Sequence, residues 1–126
     1  MCLKSGAKIG KTSTPQLVNF GCVNFKTYRL SQTDFSELKE LLSTPKQIAI
    51  VAHKSPDGDA IGSSLGLYHY LIDKGHSVSV IMPNDYPEFL KWMPGNDKVV
   101  LHEGNADNAE ALVNNAEVLF CLDFNT

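Results

Sequence analysis

His53, Asp57 and Asp59 share one short stretch, His53-Lys54-Ser55-Pro56-Asp57-Gly58-Asp59-Ala60-Ile61-Gly62-Ser63-Ser64. An apolar run, 47–52, precedes it, and an amphipathic helical pattern follows. Two carboxylates one residue apart repel each other unless a cation or a proton lies between them. A helix N-terminus offers only about half a positive charge. The simplest chemistry is a divalent-metal site. Asp123 directly follows a second apolar run, Leu119-Phe120-Cys121-Leu122, and can bring another carboxylate to the same edge. Imidazole and carboxylate without thiolate suit Mn²⁺, Mg²⁺, Fe²⁺ or Zn²⁺, and Mn²⁺ matches the mixed oxygen and nitrogen set well. Such a set has enough oxygens for two ions about 3.5–4 Å apart.

Each residue also has a plainer role. His53 alone reads as a satisfied polar side chain, Asp57 as a turn residue after Pro56, and Asp59 as a helix N-cap. Together they would be three coincidences on one loop, which favours the metal. Gly62-Ser63-Ser64-Leu65-Gly66 fits a hydrolase elbow by pattern, but that elbow needs its serine directly after a strand, and Ser64 lies inside the helical pattern. Lys11-Thr12 lacks the strand that feeds a phosphate-binding loop. Gly58, Gly62 and Gly66 recur every four residues, as on a small-residue face that lets a helix approach a sheet or a phosphate. His69, His76 and His102 share no metal spacing and suit surface or helix-packing roles. Phe89 and Trp92 are expected as core or lid contacts.

The elements that hold the loop alternate. A helix is expected from Thr33 or Asp34, with Glu37 completing a capping box and Phe35, Leu38, Leu41 and Leu42 on one face. Pro45 stops it. Strand 47–52 is apolar without alternation, so both its faces are expected to be covered. The helix from Asp59 to Lys74 carries Ile61, Leu65, Tyr68 and Ile72 on one stripe and ends at Gly75. Strands 78–82, 98–101 and 118–122 follow, with a helical turn near 87–92 and a helix over 106–114. The fold class is α/β, a parallel-sheet sandwich with helices on both faces. Ligands of such sheets bind off the carboxyl ends of the strands, where His53, Asp57, Asp59 and Asp123 sit.

The chain has 126 residues and a net charge of −3, about one domain. Residues 1–30 hold five basic residues and no acid; residues 31–126 hold all 14 acids, a balance of −8. That body is no basic nucleic-acid surface and needs cations before it can hold a polyanion. Residues 1–30 show no sustained period and read as an irregular basic extension to a domain spanning 31–126. No apolar run approaches a membrane span. Three scattered cysteines indicate no disulfide framework, so a cytoplasmic setting is expected.

The pattern His53-x-x-x-Asp57-x-Asp59-x-x-Gly62-Ser63, after an apolar strand and before an amphipathic helix, resembles the first motif of the DHH phosphoesterase superfamily. Leu122-Asp123-Phe124-Asn125 resembles its second. The nearest flavour is the bacterial oligoribonuclease and 3′-phosphoadenosine-5′-phosphate phosphatase group, with Ser55 where Asn is typical. The resemblance runs from about Asp34 to Thr126. It implies a hydrolase of phosphodiester or phosphomonoester bonds in short oligonucleotides or nucleotide bisphosphates, using two Mn²⁺ ions, with Mg²⁺ as a substitute. By it, His53 and Asp57 bind one ion, Asp59 the other, and Asp123 bridges them. Asp57, Asp59 and Asp123 thus serve catalysis. Ser63 and Ser64 are implied phosphate donors near the helix N-terminus. The family's Asp-His-His motif does not occur in the chain. The expectation is therefore an incomplete DHH domain with negligible hydrolysis alone. Manganese-dependent inorganic pyrophosphatase of the same superfamily is the second reading, and a non-catalytic fragment the third.

Overall fold

A computed structural model of the chain describes residues 2–4, 16–20, 23–27 and 35–124. The elements run β1 (Cys2–Lys4), β2 (Gln16–Phe20), β3 (Val23–Thr27), α1 (Phe35–Leu41), β4 (Gln47–Ala52), α2 (Gly58–Asp73), β5 (Ser77–Met82), β6 (Val99–Leu101), α3 (Ala106–Asn115) and β7 (Val118–Leu122). Short 3-10 turns cover Glu88–Leu90 and Asn96–Lys98. The strands form one sheet in the order β2-β3-β1-β7-β4-β5-β6. Strands β7, β4, β5 and β6 are parallel.

This order fixes where a ligand can bind. The chain steps from β4 to β5 to β6 in one direction, then returns past β4 to lay down β7. Right-handed crossovers running in opposite directions place their helices on opposite faces. Accordingly α2, between β4 and β5, packs with Ile48, Ile50, Ala52, Val80 and Met82. Helix α3, between β6 and β7, packs with Ala49, Val51, Ile81 and Leu119 on the other face. The expected sandwich is what forms, and the unbroken apolar run of β4 is explained, since residues 48–52 are all buried. The reversal of strand order falls between β4 and β7, which makes their carboxyl ends the crevice of the sheet.

The described residues within 1–30 form three strands. Strands β2 and β3 form a hairpin with Phe20 opposite Val23, and β1 joins that hairpin antiparallel to β7. Val23-Asn24-Phe25-Lys26 alternates as a strand does.

Helix α2 ends at a Schellman motif. Gly75 takes φ 85°, its N–H donates to Ile72 O, and His76 N–H donates to Leu71 O. His76 is then buried, with Nδ1 accepting from Lys46 N at 3.1 Å, a structural role. The buried face of α2 differs from the expected stripe. Ala60, Ile61, Ser64, Leu65 and Leu71 are buried, while Ile72 is exposed. The small residues Ala60 and Ser64 lie against the sheet, which turns the face toward Leu71 and away from Ile72. Gly62 and Gly66 are not sheet contacts, because a Cβ at either would meet nothing within 4 Å. In α1, Leu38 and Leu41 pack on the core, as does Leu42 just after it, but Phe35 in the first turn is exposed. The expected cap at Thr33 or Asp34 lies outside the described residues. Phe89 and Trp92 are not core contacts either. Both are exposed, at 74% and 76%, while Leu90 between them is buried. No helix among the described residues is long and apolar enough to cross a membrane.

Candidate metal centre

The centre forms where β4 and β7 end side by side. Ala52 pairs with Leu122 across the two parallel strands, so the next residues, His53 and Asp123, emerge together at the rim. His53 Nε2 lies 3.5 Å from Asp123 Oδ2 and 4.0 Å from Asp57 Oδ1. One donor atom from each of His53, Asp57 and Asp123 falls within 4.8 Å of the others. Two distant segments thus converge as expected.

Local bonds orient these groups. His53 Nδ1 lies 2.9 Å from Lys54 O. A carbonyl only accepts, so Nδ1 carries a proton there and Nε2 is the ring nitrogen that faces the two carboxylates, free to serve as a metal donor once it is deprotonated. Asp57 is the N-cap of α2, its Oδ1 accepting from the N–H groups of Asp59 and Ala60 at 3.0 Å each. The capping role therefore belongs to Asp57 and not to Asp59. Asp59 sits exposed in the first turn of α2, outside the three-residue cluster, its N–H donating to Asp57. Asp123 takes φ 55° and Ser55 takes φ 58°. These are the two positive-φ non-glycine residues among those described, and both belong to the loops of the centre. Such conformations persist only where the surroundings enforce them.

The electrostatics agree with the geometry. The bond to the Lys54 carbonyl, followed by the charges of Asp123 and Asp57, raises the His53 pKa above its usual 6.5. The N–H groups of Ala60 and Asp59, with the charge of the nearby His53, lower the pKa of Asp57 below its usual 3.8. An imidazole whose pKa is raised beside two carboxylates marks a place where positive charge is favoured. The donor set of one imidazole nitrogen and two carboxylates fits a hard to borderline divalent cation.

Of the two serines expected at phosphate, only Ser63 is exposed, its Oγ donating to Ala60 O at 3.3 Å. Ser64 is fully buried, and its Oγ has no hydrogen-bond partner among the described residues. Sequence reasoning overlooked Asn84, which follows β5 and whose Oδ1 accepts from Ser55 N–H at 2.7 Å. It belongs to no motif, and its only signal was its place just past a strand end. A cleft of about 310 Å³ adjoins the centre, bounded by Ser55, Asp57, Asn84, Asp85, Phe89 and Leu90. A larger apolar hollow of about 560 Å³ lies beside α3 and includes none of the three donors among its lining residues.

The chain is similar to known proteins. A family model described as DHH family, N-terminal domain, matches residues 47–126. The bifunctional oligoribonuclease and PAP phosphatase NrnA of Thermus thermophilus is 45% identical over 51 residues, covering 40% of this chain and 15% of that protein. A crystal structure of an exopolyphosphatase-related protein from Bacteroides fragilis superposes with a TM-score of 0.73 at 45% identity. That match covers 79% of this chain and 29% of the other. The chain therefore spans less than a third of the length of either relative.

Proposed function

The chain belongs to the DHH family, and from that premise we propose that it forms the first part of a metal-dependent phosphoesterase centre. Its intact parent hydrolyses phosphoester bonds in short oligonucleotides or nucleotide bisphosphates. The observation that carries this reading is the convergence of His53 Nε2 with the carboxylates of Asp57 and Asp123 at the strand-order reversal.

His53, Asp57 and Asp123 would hold the first ion, and Asp59 would turn toward a second. When bound, the ions supply an activated water and neutralise charge gathering on the phosphoryl oxygens. The chain's own residues do the rest. Lys54 O fixes the tautomer that leaves Nε2 as the donor. The N–H groups of Asp59 and Ala60 hold the Asp57 carboxylate. Ser63, exposed in the first turns of α2, is the serine able to donate to a phosphate oxygen there. Mn²⁺ is the proposed ion, with Mg²⁺ as a substitute.

A base-bearing substrate is favoured over pyrophosphate by Phe89. Its exposed ring borders the cleft that shares Asp57 with the centre, and an aromatic face beside a phosphate site suits a nucleobase. The Thermus relative is named for oligoribonuclease and PAP phosphatase activities, which agrees with such a substrate.

The test has two steps. Titration of the chain with Mn²⁺, followed by electron paramagnetic resonance of the free ion, is expected to show saturable binding that Asp123→Asn weakens. The full-length parent with Mn²⁺ is expected to cleave a dinucleotide or adenosine 3′,5′-bisphosphate faster than pyrophosphate. Faster turnover of pyrophosphate would assign the centre to a pyrophosphatase.

A further inference from the structure

Neighbouring strands supply the centre from both sides of β4. Strand β7 delivers Asp123, while β5, on the opposite flank, ends two residues before Asn84. The side chain of Asn84 reaches across to the loop that carries His53 and Asp57. Its Oδ1 accepts from Ser55 N–H at 2.7 Å, and its Nδ2 donates to Asp85 O at 2.8 Å. The second bond fixes the orientation of the amide, because a carbonyl leaves only the amino group as donor. Ser55 is the residue at φ 58°, a conformation that costs an ordinary L-residue and is relieved in glycine. Ser55 lies midway between His53 and Asp57, so the turn there sets whether Nε2 and the carboxylate meet.

We propose that Asn84 is a positioning residue: it holds Ser55 in the left-handed conformation and so keeps His53 and Asp57 together as a preformed donor pair. The inference rests on the metal reading given above. It adds a residue from a third strand end, outside both sequence motifs, that acts through Ser55.

Mn²⁺ affinity of the whole chain, read by electron paramagnetic resonance, tests this, with the metal-free melting temperature as control. Asn84→Ala is expected to weaken Mn²⁺ binding about 10-fold, the usual scale for removing an outer support. Its metal-free melting temperature should fall by only a few degrees. Asn84→Asp keeps an acceptor for Ser55 N–H and is expected to bind Mn²⁺ at least as tightly as the parent chain. In a Ser55→Gly background, where the left-handed turn forms without strain, Asn84→Ala is expected to lose only about 3-fold.

Unchanged affinity in Asn84→Ala, or equal losses in Asn84→Ala and Asn84→Asp, would overturn the proposal and leave the metal centre standing. If Asn84→Ala does not fold, Asn84→Asp carries the test, and a 10-fold loss there overturns it. If the parent chain binds no Mn²⁺, or His53→Ala and Asp123→Asn leave its binding unchanged, the metal centre itself is wrong and the proposal falls with it.

Discussion

Asp123 Oδ2 lies 3.5 Å from His53 Nε2, although the two residues end different strands. The contact is a consequence of register: Ala52 and Leu122 are partners in a parallel ladder, so the residues after them leave the sheet at the same height. Asp123→Asn keeps the shape and removes the charge. It is expected to weaken Mn²⁺ binding by at least 10-fold, as is His53→Ala, whereas Asp107→Asn on α3 should leave it unchanged. Isothermal titration of the four chains checks this, and equal affinities throughout would remove the centre.

Protons compete with the metal for His53. Its pKa is raised above 6.5, chiefly by the bond to Lys54 O and then by the two carboxylates. The proton on Nε2 must leave before a cation binds, so Mn²⁺ affinity should fall with acid, with a midpoint above pH 6.5. The metal-free chain should behave the opposite way. A group with a raised folded pKa contributes stability that is complete below its unfolded value and is lost as pH rises through the folded one. Asp57, with its pKa lowered from 3.8, contributes stability above that value and loses it as pH falls through the folded one. Asp57→Asn keeps a cap acceptor without the charge. It should flatten the acid limb of a urea midpoint-against-pH curve while weakening Mn²⁺ binding near neutrality.

Ser55 offers a stability test independent of metal. Its φ of 58° is costly for serine, and its hydrogen bond in the loop runs through its N–H to Asn84. Ser55→Gly or Ser55→Asn is expected to stabilise the metal-free chain by about 0.5–1 kcal/mol. Ser55→Val, β-branched, should destabilise it. Urea unfolding monitored by circular dichroism decides, and a destabilised Ser55→Asn would show that the left-handed turn carries no strain.

Ser64 separates packing from ligand binding. Its hydroxyl is fully buried beneath α2 without a hydrogen-bond partner among the described residues. An orphaned buried hydroxyl costs about 1–3 kcal/mol in desolvation. Ser64→Ala is therefore expected to raise stability by about 1 kcal/mol, within the lower part of that range, and to leave phosphate-ligand binding unchanged. Ser63→Ala, on the exposed side, should leave stability nearly unchanged and weaken binding of a phosphate ligand to the Mn²⁺-loaded chain.

How much of this was legible depends on how local the determinant is. The unbroken apolar run of β4, the glycine stop after α2 and the acidic loop between them follow from short-range chemistry, and they stand where the sequence places them. The convergence of Asp123 with His53 followed from one general rule about strand ends. Asn84 escaped notice because its partner is 29 positions upstream and a single hydrogen bond leaves no pattern. The turn of α2 toward Leu71 was hidden because Ala60 and Ser64 are small, and a hydrophobic stripe is drawn through large residues. Strands β1–β3 are three to five residues each, too short for a sustained period to stand out.

Phe89 separates the substrate readings. Sequence hydrophobicity placed it in the core or a lid, yet the residue is 74% exposed on the rim of the cleft that shares Asp57 with the centre. Leu90 takes the buried position, which leaves its neighbour outside. Stacking of one base on an aromatic ring is worth about 1–3 kcal/mol. Phe89→Ala should therefore weaken binding of adenosine 3′,5′-bisphosphate to the Mn²⁺-loaded chain by about that much, and leave pyrophosphate binding unchanged. Trp92, the single tryptophan and itself exposed on the same segment, provides the fluorescence signal. Equal losses for both ligands would mean that the ring supports the loop and does not meet a base. No loss for either would mean that the base lies elsewhere, and the preference for nucleotides would then lack its structural support in this chain.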